Sequence, residues 1–333
     1  MKTAPLGASG IEVSALALGC MQMGTRMADE ASFGMLDRYA AHGGAFLDTA
    51  DCYAWWWDQG TDGGQSEDVL GRWMAARGNR DEVFVATKGT ARIDDVARAW
   101  PASAAAPDWD YARDHFVGAA TLRESLEASL RRLRTDRIDL YYVHVDDRRT
   151  PLEESLGTLA SFVTEGKVRH LGWSNVRTWR MERIRQLCAT NGWPAPVALQ
   201  EEYSYLRPDP GVDDAGVTGG EQLDYLAAHP DLTLVAYSPV LKGLYDLPPE
   251  RRGSVEIAGR YSSPDTLRRL AAVRLVADEL GVLPSQVVLA WLAQHSPRVI
   301  PVIGTATPER LDRAVAALEL GLSTDQLAQL AAG

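Results

Sequence analysis

The stretch Phe46-Leu-Asp-Thr-Ala-Asp-Cys-Tyr53 ends a short apolar run with two titratable side chains. The apolar run at residues 45–47 predicts a buried strand, with Asp48 at its C-terminal end and Tyr53 in the loop that follows. Burying an unpaired aspartate costs several kcal/mol, so we expect Asp48 to have a cationic partner elsewhere in the chain. The search for that partner leads to other strands of the same kind.

Short apolar segments of this type alternate with amphipathic helical segments along almost the whole chain. The helices are recognised by their period, as in the leucines at helical spacing over residues 122–133 and the apolar positions over residues 152–162. Eight strand and helix units in 333 residues fit an α/β fold of the (β/α)₈ TIM barrel type better than a doubly wound sheet. The predicted strands are residues 15–19, 45–48, 83–87, 138–143, 168–173, 197–200, 233–237 and 299–303.

The N-terminal residues 6–13 have the glycine and alternating apolar pattern of a small β-hairpin, which we expect to cap the barrel. No composition shift or Ser/Gly linker divides the rest of the chain. We therefore expect residues 1–333 to form a single (β/α)₈ barrel domain.

Three segments interrupt the alternation of strands and helices, at about residues 54–64, 90–118 and 241–263. Each one follows the end of a predicted strand. In a barrel, all three would be long loops at the C-terminal face, where barrel enzymes bind their ligands.

Composition argues against several classes of partner. The net charge is −11 and no run of lysine or arginine exceeds two residues, so we expect no nucleic-acid binding. No segment of about eighteen apolar residues predicts a membrane span, and the N-terminus has no signal-peptide pattern. Three widely spaced cysteines, Cys20, Cys52 and Cys188, indicate a reducing compartment. We expect a soluble, unprocessed, cytoplasmic protein.

The cation predicted for Asp48 is Lys88, which closes the third predicted strand. The fourth predicted strand ends similarly at His144. Because consecutive strands are neighbours in a barrel, Asp48, Tyr53, Lys88 and His144 are expected to converge on one pocket. Taken singly, each has an ordinary structural role: an ion pair for Asp48 and Lys88, a satisfied rim histidine, and packing for Tyr53. Their joint placement at consecutive strand ends favours catalysis.

This group of residues suits proton transfer to or from a carbonyl oxygen. Tyrosine has a pKa near 10, and a neighbouring lysine ammonium favours tyrosinate, so we expect Lys88 to lower the pKa of Tyr53. Asp48 would keep Lys88 charged and oriented, while His144 would donate a hydrogen bond to the same carbonyl oxygen.

A metal site is the alternative interpretation of His144-x-Asp146-Asp147, because two carboxylates and an imidazole can hold a divalent ion. No second histidine stands at a predicted strand end to complete such a site. We expect no bound metal.

Five motifs occur in order along the chain. They are Leu6-Gly-x-Ser-Gly-Ile-x-Val-Ser14, Leu18-Gly-Cys-Met21, Phe46-Leu-Asp-Thr-Ala-Asp-x-Tyr53, Ala86-Thr-Lys88 and Asp139-Leu-Tyr-Tyr-Val-His144. Through these motifs the chain resembles the aldo-keto reductases over nearly its whole length. The resemblance implies a (β/α)₈ barrel closed at its base by an N-terminal hairpin, and it implies that Asp48, Tyr53, Lys88 and His144 form the catalytic tetrad, with Tyr53 as general acid. Hydride would come from a nicotinamide cofactor bound without a G-x-G-x-x-G motif, which this chain lacks.

The resemblance also implies which residues bind the cofactor. Ser174, Asn175 and Gln200 would bind the carboxamide, and Tyr237 would stack on the nicotinamide ring. Residues along the pyrophosphate would be Ser238, Leu241 and Gly243, and those near the adenosine phosphate would be Gly304, Thr305, Thr307 and Arg310; Gly19, Met21 and Asp48 complete the implied set.

The last of these segments departs from the better-known members of the family. Gly304 stands where a lysine is frequent, while Arg313 and Ala314 replace an acidic residue and an amide. Arg310 remains, and its guanidinium is suited to binding a 2′-phosphate with two hydrogen bonds. We therefore expect NADPH as the cofactor, with NADH possible.

The sequence thus predicts an NAD(P)H-dependent oxidoreductase that reduces an aldehyde or ketone to the alcohol. Its small-molecule carbonyl substrate would contact Met21, Trp55, Trp56 and Trp57, together with the long loops. Two alternatives stay open: an NAD(P)⁺-dependent sugar or alcohol dehydrogenase using the same site, and a cofactor-sensing regulatory protein with little turnover, as the family's potassium-channel β subunits are. The sequence does not indicate an oligomeric state.

Overall fold

The computed structural model describes residues 1–57, 59–212 and 215–333. Its centre is a closed barrel of eight parallel strands, in which each strand pairs with the next along the chain and the last pairs with the first. The predicted (β/α)₈ barrel is confirmed. The strands are β1 (Thr3–Pro5) and β2 (Glu12–Ser14), which lie outside the barrel, and then β3 (Ala17–Gly19), β4 (Phe46–Asp48), β5 (Phe84–Gly89), β6 (Ile138–Val143), β7 (Val168–Ser174), β8 (Ala198–Glu202), β9 (Thr233–Tyr237) and β10 (Val299–Ile303).

Helices surround the barrel, and their apolar sides face it. In the helix over residues 122–133, the leucines that predicted it are all buried. The helices are α1 (Asp29–Ala41), α2 (Gln65–Arg77), α3 (Val96–Ala99), α4 (Trp109–Asp114), α5 (Leu122–Leu133), α6 (Leu152–Thr164), α7 (Thr178–Asn191), α8 (Gly220–Ala228), α9 (Pro264–Leu280), α10 (Pro284–Ala293), α11 (Pro308–Ala317) and α12 (Thr324–Ala332).

Ser66 lies in the first turn of α2 but does not cap the helix. The helix begins at Gln65 after a left-handed Gly64, and the Ser66 hydroxyl donates instead to the carbonyl oxygen of Cys20 at 2.8 Å. A serine hydroxyl inside a helix can hydrogen-bond outside it when a neighbouring strand end is close. Ser66 therefore ties α2 to the segment after β3.

The hairpin of β1 and β2 closes the base of the barrel, at the N-terminal ends of its strands. The amide of Gly7 donates to the Thr233 hydroxyl at 2.8 Å, at the start of β9. Gly7 has φ +49, and a Cβ on it would collide with the carbonyl oxygens of Val197 and Asp231. A glycine is needed here because the hairpin turn packs directly against the backbone of two strand starts.

The long loops follow strand ends, as predicted, and therefore lie at the C-terminal face. The segment 90–118 contains α3 and α4, and the segment 241–263 contains three short 3₁₀ helices, Leu241–Asp246, Pro249–Ser254 and Glu256–Arg260. The predicted insertion at 54–64 consists of turns, and its residue 58 lies outside the described residues. A further long segment, residues 203–219, connects β8 to α8 and was not predicted as an insertion.

Within the described ranges, no single helix combines the length and apolar composition that a membrane span needs. The pair α9 and α10 meets those two criteria only when both helices, bent by 97°, are counted together.

Candidate active site

The barrel brings Asp48 and Lys88 together through the register of two strands. Asp48 pairs with Ala86 across β4 and β5, and Lys88 lies two residues further along β5, so its side chain points to the same inner face as that of Ala86. The Lys88 ammonium donates to Asp48 Oδ1 at 2.6 Å, to the Thr49 carbonyl oxygen at 2.8 Å and to the Tyr53 hydroxyl at 3.1 Å. The predicted cation for Asp48 thus also contacts Tyr53.

Lys88 remains charged although its side chain is 0% exposed. Burial favours the neutral amine, but the charge of Asp48 and the contact with Tyr53 outweigh it, and the pKa of Lys88 is raised above its usual value. The three donated hydrogen bonds match the three hydrogens of an ammonium. Asp48 and Lys88 are therefore a buried ion pair with all the lysine hydrogens used.

The expected lowering of the Tyr53 pKa is not the net result. Burial, the largest effect, raises the pKa of Tyr53 to about 12, and Lys88 opposes this without overcoming it. The interaction with Lys88 has the predicted direction, but desolvation of a phenolate costs more. Tyr53 is therefore a protonated phenol at neutral pH.

His144 follows β6 and lies against Tyr53, with the two rings in an edge-to-face arrangement and 5.7 Å between their centroids. Burial and the positive charge of Lys88 lower the pKa of His144 well below its usual value, so the imidazole is neutral. Its Nδ1 lies 3.5 Å from Cys52 Sγ. The structure thus brings together all four predicted catalytic residues.

A row of hydroxyl and amide groups continues from Asp48 across the next strands of the barrel. Gln200 donates to Asp48 Oδ2 at 2.8 Å, and Ser174 donates to the Gln200 carbonyl oxygen at 2.7 Å. The Asn175 amide donates to Ser174 Oγ at 3.0 Å, and the Tyr237 hydroxyl donates to Asn175 Oδ1 at 3.0 Å. These predicted cofactor residues therefore form one connected group beside the Lys88 site.

The conformation of Asn175 depends on a residue that sequence reasoning missed. Asn175 has φ +54, a left-handed backbone that asparagine tolerates better than most residues. The carboxylate of Glu201 accepts the backbone N–H groups of Asn175 and Val176, each at 3.0 Å. A buried acid directly after Gln200 is the sequence signal that would have indicated this role.

The donor set fits the nicotinamide group that the resemblance implies. A carboxamide carries one acceptor oxygen and an NH₂ donor, and Ser174, Asn175 and Gln200 offer both donors and acceptors in adjacent positions. Tyr237 is partly exposed at the end of β9, where an aromatic ring can cover a planar ligand.

The predicted pyrophosphate residues lie in one tight turn after β9. The backbone is left-handed at Ser238, Leu241, Lys242 and Gly243, with φ of 53, 47, 54 and 89. The amides of Leu241 and Gly243 donate within the turn, to the carbonyl oxygens of Ser238 and Val240. The structure thus brings these residues together, with those two amides bonded inside the turn.

The last predicted cofactor segment follows β10. Gly304 lies beside Gly19, because β10 pairs with β3, and Thr305 donates to the carbonyl oxygen of Thr307 at 3.1 Å. Thr307 precedes Pro308, the first residue of α11. Arg310 is exposed in the first turn of that helix, and in the described part of the chain its guanidinium has no ion pair.

An aromatic cluster covers one side of Tyr53. The Trp56 ring packs edge-to-face on Tyr53 with centroids 6.0 Å apart, while Trp55 is buried and Trp57 stacks under the Arg26 guanidinium at 4.2 Å. Trp109, from α4 in the long loop, lies 5.5 Å from Trp55 and 6.2 Å from Trp56, and it is 47% exposed. Met21, also predicted at the substrate site, is partly exposed after β3.

The aspartates of the rejected metal motif have other partners. Asp146 accepts from Arg180 at 2.9 Å, and Asp147 accepts from the Ala119 amide and the Thr150 hydroxyl, each at 2.8 Å. These contacts hold the segment after β6 against α7 and the start of α5.

Comparison with known proteins assigns the chain to a family. Residues 15–332 match the model of the aldo/keto reductase family. The chain belongs to this family. Among curated aldo/keto reductase relatives, norsolorinic acid reductase stcV of Emericella nidulans is 32% identical, covering 97% of this chain and 78% of its own length.

Two further relatives span most of the chain. The uncharacterized oxidoreductase YrpG of Bacillus subtilis is 30% identical over 98% of this chain and 93% of its own length. The aryl-alcohol dehydrogenase [NADP(+)] of Phanerodontia chrysosporium is 29% identical over 96% of this chain and 82% of its own length. A thermostable aldo-keto reductase solved with the inhibitor epalrestat superposes with a TM-score of 0.71 at 25% identity, over 100% of both chains. These similarities identify an oxidoreductase of a family that uses nicotinamide cofactors on small carbonyl compounds.

In this aldo/keto reductase, a second missed residue is Gly216, from the unpredicted segment 203–219. Its carbonyl oxygen accepts from the Tyr237 hydroxyl at 3.1 Å, and a Cβ on Gly216 would collide with Asn175 Oδ1. The sequence signal was a segment rich in Gly, Pro and Asp between β8 and α8. Residues 213–214 of that segment lie outside the described residues.

Proposed function

We propose that this chain is an NADPH-dependent reductase that converts an aldehyde or ketone to the alcohol, with Tyr53 as general acid. The observation that carries the proposal is the buried Lys88 ammonium, which lies 2.6 Å from Asp48 and 3.1 Å from the Tyr53 hydroxyl. An ammonium at that distance stabilises the tyrosinate that remains after Tyr53 gives its proton to the carbonyl oxygen. The neutral His144 ring would supply a further hydrogen bond to that oxygen.

When bound, the nicotinamide group supplies the hydride. The group of Ser174, Asn175 and Gln200 would hold its carboxamide, and Tyr237 would cover its ring. Because Gln200 also donates to Asp48, the same residue would link cofactor binding to the orientation of the Lys88 pair.

We propose NADPH because of Arg310. An exposed guanidinium in the first turn of α11 lies where the helix dipole also favours an anion, and it can bind a phosphate with two parallel hydrogen bonds. A 2′-phosphate is the group that distinguishes NADPH from NADH.

For the substrate we propose a planar aromatic carbonyl compound. The wall beside Tyr53 consists of Trp56, Trp57 and Trp109, and exposed aromatic faces favour stacking with flat rings. The name of one relative, aryl-alcohol dehydrogenase, points to the same class. This name also keeps the oxidation of an aromatic alcohol as a second candidate activity of the same site.

We also propose a cytoplasmic location. The cysteines at positions 20, 52 and 188 are buried and unpaired, as expected in a reducing compartment.

Steady-state turnover of the purified protein tests the function. We expect NADPH-dependent reduction of 4-nitrobenzaldehyde, faster than with NADH or with an aliphatic aldehyde. Tyr53→Phe should lower kcat by about 10²-fold to 10⁴-fold while leaving NADPH binding intact, because only proton donation is removed. Tyr39→Phe is the matched control, since Tyr39 is a buried tyrosine on α1 that donates to the Leu16 carbonyl oxygen.

Wild-type turnover in Tyr53→Phe would show that Tyr53 is not the acid. Turnover only from alcohol with NADP⁺ or NAD⁺ would favour the dehydrogenase alternative. Tight NADPH binding without turnover in either direction would favour a cofactor-sensing regulatory protein.

A further inference from the structure

Asp51 is a buried acid that the proposed mechanism does not use. Its side chain is 1% exposed, and its backbone amide donates to the Lys88 carbonyl oxygen at 3.0 Å. Neither carboxyl oxygen lies within hydrogen-bond distance of a partner among the described residues, although the Ser125 hydroxyl is near enough to act on the pKa of Asp51 and lower it. Buried carboxyl groups are nearly always hydrogen-bonded, so an unpartnered one beside a reactive centre calls for a functional explanation.

The Asp51 carboxyl group lies close to the side chains of Cys52 and His144. An Asp51 carboxyl oxygen, Cys52 Sγ and one ring nitrogen of His144 lie within 4.8 Å of one another, and the sulfur is 3.5 Å from Nδ1. Burial, with the charge of Asp51 adding to it, raises the pKa of Cys52 well above its usual value. Cys52 is therefore a thiol at neutral pH, with one S–H hydrogen to donate either to the imidazole or to the carboxyl group.

The two arginines that act on Asp51 each form an ion pair with another acid. Arg132 of α5 lies nearest to Glu67 of α2, at 2.6 Å, and Arg92 pairs with Asp62 at 3.4 Å. Burial and the negative charge of Glu67 outweigh these arginines and raise the pKa of Asp51 to about 7. The other polar groups that face Asp51 or its neighbours are Ser125 of α5, Tyr141 of β6, and Cys52, Lys88 and His144.

Two of the groups that act on Asp51 line a cavity outside the barrel. A cavity of about 220 Å³ lies between the loop after β5 and α5, and its lining includes Arg92 and Ser125, two of the groups that act on Asp51. The Tyr141 hydroxyl, which also has no hydrogen-bond partner among the described residues, lies close to Gly89 and Ser125. A polar cavity of this size can hold several bridging waters.

We propose that Asp51 is a positioning residue that sets the tautomer of His144. When Asp51 is a neutral acid, the Cys52 thiol donates to His144 Nδ1, so the ring hydrogen stays on Nε2, where it can be donated to a substrate oxygen. When Asp51 is ionised, the carboxylate is the stronger acceptor and attracts the thiol hydrogen. Its negative charge then favours the hydrogen on Nδ1, and Nε2 is no longer a donor.

The inference rests on the proposed reductase function and predicts that carbonyl reduction weakens as Asp51 ionises. For wild-type protein with NADPH and 4-nitrobenzaldehyde, we expect kcat to fall about tenfold from pH 6.5 to pH 8.5, the effect of losing one net hydrogen bond to the substrate oxygen. Asp51→Asn carries a side chain that does not titrate, so its kcat should stay nearly constant over this range. Glu124→Gln, which removes another acid that lines the cavity, should keep the wild-type slope.

An identical pH dependence in Asp51→Asn and wild type would overturn the inference. If wild-type protein reduces no carbonyl compound, the proposed function fails, and a direct measurement still decides the role of Asp51. The chain has 6 histidines, so ¹⁵N-histidine NMR can follow the tautomer of His144 with pH without any turnover.

In the NMR experiment, we expect wild-type His144 to carry its hydrogen on Nε2 at pH 6 and to shift toward Nδ1 above pH 7, and Asp51→Asn to show no shift. One tautomer in wild-type protein throughout this range would refute the proposal, even if Asp51→Asn failed to fold.

Discussion

At the scale of single residues, Lys88 illustrates what the site requires of the barrel. Its ammonium is held away from water by the barrel interior, and Asp48, Thr49 and Tyr53 accept its three hydrogens. A buried ion pair is expensive to form, since desolvation offsets much of the attraction, so its presence reflects chemistry more than stability. Removing one partner of the pair is strongly destabilising, because the remaining charge stays buried without a counterion.

We therefore predict that Lys88→Met destabilises the protein by about 3–5 kcal/mol, because Asp48 keeps its charge without its counterion. Urea denaturation at pH 7 measures this loss. The matched control is Lys167→Met, which removes partly exposed pairs with Glu127 and Glu165 and should cost far less, because solvent screens exposed pairs. Equal losses in the two variants would mean that the buried pair contributes no more to stability than an exposed one.

The convergence of the candidate catalytic residues could be predicted from the sequence because it follows from the geometry of a barrel. Parallel strands in a barrel end at one rim, so Asp48, Lys88 and His144 had to meet. The raised pKa of Tyr53 and the lack of a hydrogen-bond partner for the Asp51 carboxyl among the described residues could not be predicted. Both depend on how completely the surrounding loops exclude water. Desolvation is a property of the packed structure and leaves no local pattern.

At the scale of elements, the segment 203–219 contacts the candidate cofactor site through Gly216. The Glu202 amide donates to the Gly216 carbonyl oxygen at 2.7 Å, so the end of β8 fixes the position of this segment. The segment in turn holds the Tyr237 hydroxyl. The element therefore positions cofactor residues without belonging to the barrel.

Gly216→Ala should weaken NADPH binding by about tenfold, because a Cβ there displaces Asn175 Oδ1 and the Tyr237 hydroxyl, costing roughly one hydrogen bond. Fluorescence titration with NADPH measures the Kd. Gly219→Ala is the control, as a Cβ on Gly219 meets no atom within 4 Å. If both variants bind like wild type, the segment does not position the cofactor residues.

The strands and most helices were predictable because their hydrophobic periods are strong, as in α5 and α6. The segment 203–219 was not, since its Gly, Pro and Asp residues indicate a loop without indicating its path. The same limit applied to Trp109. Its place in a long loop was expected, but its packing on Trp55 and Trp56 depends on the folding of α4 back over the barrel rim.

At the scale of the whole molecule, we propose that residues 1–333 unfold as one unit, because the barrel closes through a pairing of β10 with β3. Removing any strand would leave two open edges. A ligand that binds across the rim should then stabilise the entire chain rather than one part.

We predict that saturating NADPH, at about 100 times its Kd, raises the stability by about 2.7 kcal/mol and increases Tm accordingly. NADH at the same concentration should give a smaller shift, and Arg310→Ala should reduce the NADPH shift to the level of NADH. Arg298→Ala is the control, since Arg298 precedes β10 at the opposite end of the barrel. Calorimetry provides the measurement, and equal shifts for both cofactors in wild-type protein would argue against a 2′-phosphate site at Arg310.

The hairpin at the base of the barrel has a practical consequence for redesign. Gly7 and the turn around it close the end of the barrel opposite Tyr53. The hairpin and the candidate active site are therefore separated by the full length of the strands. Loops at the reactive rim can therefore be exchanged between relatives without disturbing the seal. A library that varies the segment at 90–118, which carries Trp109, would alter substrate choice on an unchanged scaffold.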